Sequence, residues 1–144
     1  MIRRWEARYL HLAVALVGGT GVVWGVMRYL LEPVDEFSVV NHPWEPHLQH
    51  LHVVVAPFLV FGFGLIWKRH IADRWSSPLV ARRRSGRLLA VLAGVMVLSG
   101  YLLQVTTAPD ARQIWVVLHV ASSLIWLAGY GVHQLSSDRA PAAP

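Results

Sequence analysis

Four apolar runs constrain this chain more than anything else in it: Trp5–Leu31, Pro46–Trp67, Leu88–Val105 and Ile114–Leu135. Each can cross about 30 Å of hydrocarbon. A chain in lipid must satisfy its own backbone polar groups, so each run is expected as a helix. The other home for such runs is the interior of a soluble bundle. With 55% of 144 residues apolar and a mean hydropathy of +0.44, there is more apolar surface than a core of that size could hide. The expected fold is therefore all-α: one integral membrane four-helix bundle spanning 1–144 as a single domain.

The net charge of +5 is a topology signal. Eleven of the thirteen basic residues fall in three segments: Arg3, Arg4 and Arg8; Lys68 to Arg87; and Arg139. The alternate loops hold only Arg28 and Arg112, beside Glu32, Asp35, Glu36, Glu45 and Asp110. The positive-inside rule then puts both termini and the 68–87 loop in the cytoplasm. The basic excess needs no nucleic acid to explain it. Arginines at the front suggest a signal peptide, but no small-x-small site follows the first apolar core, so a retained helix is expected. The chain has no cysteine. That excludes disulfides, cysteine-ligated iron–sulfur clusters and thioether-attached haem.

Histidines carry the chemistry. His119 and His133 lie fourteen residues apart in the last run. On a helix that is about 21 Å along the axis and about 40° around it, so both rings look out from one face. Ionisable groups at such depth are functional candidates. Trp126 falls midway between them on that face, either as a packing spacer or as an indole between two cofactor levels. In the first run, His11 is followed at sevens by Gly18 and Gly25, which strip its face of side chains. Close helix packing and clearance for a flat macrocycle both explain those glycines.

Pro43 and Pro46 mark a turn and the start of the second helix. His52 lies at the depth of His119. His42, His47 and His50 read as interfacial polar residues, with a zinc or copper site as the alternative. His70 follows Lys68 and Arg69 and is expected at the cytoplasmic surface, too far out to pair with a buried partner. There it would solvate a propionate or pass protons. The third run has no histidine; its Gly94, Ser99 and Gly100 suit tight packing, so it reads as a wall. Arg8, Arg28 and Arg112, with Arg82–Arg84, are candidates to neutralise propionates.

Depth matching gives two pairs, His52 with His119 near the outer leaflet and His11 with His133 near the inner one. His50 is the alternative to His52. Zinc, copper and non-haem iron usually want three or more clustered ligands, whereas these pairs suit two bis-histidine haems of the non-covalent b type.

The pattern resembles the di-haem cytochrome b subunit of respiratory formate dehydrogenases and nickel–iron hydrogenases, in the cytochrome b561-like superfamily. The matching residues are Arg8-Tyr9-Leu10-His11 in the first helix, Leu51-His52 in the second, and Leu118-His119 and His133 in the fourth, covering about 11–135. The resemblance implies two haems b, quinone as redox partner near the inner haem, a bacterial inner-membrane location, and a multi-subunit complex; it carries over no quinone-site residue, and the cytoplasmic end around His133, Arg8 and His70 is the region expected to meet quinone. The expected function is electron transfer, as a subunit of an oxidoreductase, between quinone and a periplasmic partner of dehydrogenase or cytochrome c type. A metal-binding or transport protein using the outer histidines, and a redox-inert scaffold subunit, are the other classes.

Overall fold

The computed structural model describes residues 2–33, 35–76 and 83–135; Arg82 and Arg139, which bear on the expected sidedness, lie outside them. The long helices are α1 (Arg4–Tyr29), α2 (Glu45–Ile66), α4 (Arg83–Val105) and α5 (Pro109–Leu135). A π-helical segment, Trp67–Ala72, and the short α3 (Asp73–Ser76) follow α2. Among the described residues all regular structure is helical. Four helices are long and apolar enough to cross a membrane.

The helices begin before the apolar runs, because the backbone ladder does not require apolar side chains, while α1 and α2 end short of Leu31 and Trp67. Pro109 opens α5 and Asp110 sits in its first turn, where a missing N–H costs nothing and a carboxylate complements the helix dipole. In α1 the Glu6 carboxylate accepts the Arg3 backbone N–H at 2.8 Å. Pro46 lies in the first turn of α2, one residue after Glu45.

The chain divides into two compact units, Met1–Lys68 and Arg69–Pro144. In the first, α1 and α2 pack antiparallel. Leu10, Ala13, Val14 and Val17 recur at helical spacing and are buried, as are Val55, Leu59 and Ile66. At one end the Tyr9 hydroxyl donates to the Phe58 carbonyl at 3.1 Å, and its ring meets Phe61 edge-on. Gly62 makes room there: a Cβ would stand 3.2 Å from Leu10 Cδ1. At the other end Arg28 pairs with the buried Glu45 at 3.1 Å. Glu45 also accepts the Asn41 backbone N–H, and Asn41 Nδ2 donates to the Arg28 carbonyl.

In the second unit α4 and α5 pack antiparallel through Ala93, Met96 and Ser99 on one side and Ser122 and Trp126 on the other. Trp126 Nε1 donates to the Leu89 carbonyl at 3.0 Å, and its ring stacks on Tyr130. Beside α3, Arg87 lies over the Trp75 ring and donates to the Trp75 carbonyl. Every long helix also exposes large apolar side chains, among them Leu12 at 71%, Phe61, Leu98 and Val132. Apolar faces of this extent are what lipid or further helices cover.

Candidate cofactor site

His52 enters the α1–α2 seam opposite Thr20 and Gly21. Its Nδ1 lies 3.1 Å from the Val17 carbonyl and 3.2 Å from Thr20 Oγ1. A carbonyl can only accept, so Nδ1 carries the proton. The Thr20 hydroxyl donates back to the Leu16 carbonyl at 2.8 Å, which turns its oxygen lone pairs toward the ring. Gly21 makes the seat: a Cβ there would come within 2.9 Å of His52 Cε1. The Trp24 ring lies 6.0 Å away, centre to centre.

The second unit repeats the device. His119 Nδ1 donates to the Met96 carbonyl at 3.0 Å, with Ser99 Oγ at 3.3 Å, and the Ser99 hydroxyl donates to the Val95 carbonyl. A Cβ on Gly100 would stand 3.1 Å from His119 Cε1. Fourteen residues earlier on α4, Ser85 Oγ lies 3.1 Å from His133 Nδ1, and Gly86 faces His133 Cε1. The hydroxyl–glycine dipeptides Ser85-Gly86 and Ser99-Gly100 thus match the spacing of His133 and His119 across an antiparallel pair. Thr20-Gly21 is the same device in the first unit.

This arrangement suits metal coordination. A ligating imidazole usually donates its other N–H to a carbonyl or carboxylate, which sets the tautomer and ring angle and raises the basicity of the ligating nitrogen. With Nδ1 protonated, Nε2 of His52 and of His119 carries the lone pair. Two buried donors, Trp24 Nε1 and Arg87 Nε, have no hydrogen-bond partner among the described residues. One belongs to the ring beside His52 and the other to the α4 turn beside Ser85-Gly86, and each by itself would be satisfied by an acceptor such as a carboxylate. Within each unit by itself, an oriented imidazole and a donor without an acceptor are of a kind that fits a b-type haem with carboxylate arms.

His11 is exposed, and so are Arg8, Arg112 and His50. Gly18 and Gly25 are half-buried, with nothing within 4 Å of a Cβ on Gly25. Arg28 is engaged by Glu45. His42 Nδ1 accepts the Trp44 backbone N–H at 3.1 Å, and His47 meets the Trp44 ring edge-on. Among the described residues no group of three or more His, Cys, Asp or Glu is placed to hold a metal ion.

Two features escaped the sequence reading. The third apolar run is more than a wall, since α4 seats both α5 histidines; the signal was the fourteen-residue repeat of Ser-Gly. His70 is not isolated at the surface either, for its ring centre lies 6.4 Å from that of His133. A π-helical turn carries it, and such turns change the face on which a residue emerges. The chain matches no family model, no curated protein and no solved structure with which it was compared.

Proposed function

We propose that the chain is a membrane electron-transfer subunit that carries two b-type haems and relays electrons between quinone and a periplasmic redox partner. The observation that supports it most is the seating of His52 and His119. Each has its Nδ1–H on a helix carbonyl, a hydroxyl beside it and a glycine beneath it. Evenly repeated seats of this kind orient axial ligands, and general packing does not require them. His52 is preferred to the exposed His50 on that ground. Pairing His52 with His119 in one haem rests on their matched depth in the sequence. His133 binds the second haem, about 21 Å along α5 from His119.

Bound haem supplies one-electron chemistry at a potential set by its ligands and their hydrogen bonds. The chain's own residues orient the imidazoles, hold the carboxylate arms and keep water from the helix seams. The positive-inside asymmetry supports a bacterial inner-membrane placement with both termini cytoplasmic, and the acidic outer loops support docking of a cationic periplasmic face. The bundle expected from the sequence remains part of the proposal.

The test is the dithionite-reduced spectrum of the purified full chain. Soret and α bands of b type, at two haems per chain, are expected. A chain that purifies folded and without haem, and takes up none on reconstitution, overturns the proposal.

A further inference from the structure

The second haem needs a ligand opposite His133, and the helix-depth match in the sequence offers His11. The structure places a different histidine there. His70 and His133 have ring centres 6.4 Å apart and planes at 75°. A metal between two imidazole nitrogens puts the ring centres about 6 Å apart, allowing about 2 Å for each metal–nitrogen bond and about 1 Å more to each ring centre. The observed separation accommodates one iron between the two rings.

Three further observations converge on this place. Ser85 Oγ lies 3.1 Å from His133 Nδ1, so a metal would be taken by the other ring nitrogen, Nε2, and a Cβ on Gly86 would stand 3.9 Å from His133 Cε1, in ordinary contact. His70 sits in the π-helical segment Trp67–Ala72, and π-turns inside helices are frequent at functional sites. Arg87, one residue after the Gly86 seat, is pinned by the Trp75 ring and carbonyl and still has its buried Nε without an acceptor among the described residues. A guanidinium held in that way is prepared for a carboxylate.

We propose that His70 and His133 are the two axial ligands of one haem and that Arg87 binds one of its propionates, so that Arg69–Pro144 holds that haem without His11. This presupposes the haem-carrying function proposed above. Bound there, haem would take two neutral imidazoles with crossed planes, and the Arg87 cation would stabilise its reduced, less positive form.

The experiment compares His70→Ala with His11→Ala in the full-length, haem-loaded protein, by haem stoichiometry, absorbance and electron paramagnetic resonance with and without added imidazole. His70→Ala is expected to turn one haem of two high-spin or lose it, with imidazole restoring the low-spin form, while His11→Ala keeps two low-spin haems. The wild type should show the strongly anisotropic low-spin signal that crossed imidazoles give. His70→Met guards against a mere folding defect: it should keep both haems and make one midpoint potential more positive, as methionine ligation does. If His70→Ala keeps two low-spin haems, the rings only pack edge-on and the assignment fails. If imidazole rescue and the methionine shift appear at position 11 instead, His11 is the ligand; the assignment fails while the two-haem function stands. A wild-type chain that binds no haem overturns both.

Discussion

The two units solve one problem with different economy. In Met1–Lys68 the hydroxyl–glycine pair Thr20-Gly21 seats His52, and the far end of the seam is closed by Tyr9, Leu10, Phe58 and Phe61. In Arg69–Pro144 α4 carries the full device at Ser99-Gly100 under His119, and fourteen residues earlier Ser85 Oγ meets His133 Nδ1 beside Gly86, so α5 supplies both histidines at the same interval. The difference teaches that the seat is a local unit: a hydroxyl whose own proton is spent on the preceding turn, a carbonyl at the same level, and a missing Cβ. Wherever a helix offers those three, the helix beside it can carry an oriented imidazole.

The comparison breaks most directly at the ligands. His119→Ala and His52→Ala should each lose one haem of two, measured as pyridine haemochrome per chain. If either keeps full haem with an unchanged spectrum, its seat serves packing alone.

Next come the glycines. Gly21→Val and Gly100→Val introduce a Cβ that would stand 2.9 Å from His52 and 3.1 Å from His119, with two methyl groups beyond it. Overpacking of that kind costs about 1–3 kcal/mol, and the displaced ring should bind its haem poorly. Gly25→Ala and Gly94→Ala, with nothing within 4 Å, should leave haem content and melting temperature unchanged. Equal losses at all four positions would mean the glycines serve helix flexibility in general.

Smaller effects are expected from the hydroxyls. Thr20→Val and Ser99→Ala leave the Val17 and Met96 carbonyls in place, so both haems should stay. Haem affinity should fall about tenfold, at the low end for loss of an outer partner, as read in competition with apomyoglobin. An unchanged affinity would assign the seat to the carbonyl and glycine alone.

The smallest effect separates structure from site. Glu45→Gln weakens the pair with Arg28 and the bond from Asn41 at the loop end of the first unit. Charge-assisted bonds to a buried carboxylate suggest a cost of about 1–2 kcal/mol, moderated because Arg28 is half exposed. The melting temperature should drop with the haem spectrum intact. A lost haem instead would tie Arg28 to a propionate, as the sequence reading has it.

Much of the fold is legible along the chain because hydrocarbon imposes a length and backbone hydrogen bonding imposes a helix. Both constraints act on consecutive residues. The shared face of His119 and His133 is legible for the same reason, being a property of one helix. Gly18 and Gly25 were singled out by counting along His11's own helix, whereas the residue that clears space for a histidine is Gly21, chosen by a ring arriving from α2. No count within one helix can find it.

His70 shows the limit most sharply. Eighteen residues from His52, it would share that residue's face on an unbroken α-helix. The π-helical turn at Trp67–Ala72 changes where it emerges and brings it to His133. The sequence by itself determined four membrane-length helices, their charge asymmetry and the two-histidine face of α5, all consequences of periodicity and solvent. Only the tertiary structure decided which hydroxyls, carbonyls and missing Cβ atoms meet each ring, because those contacts join residues 32 to 48 positions apart whose match is set by helix packing.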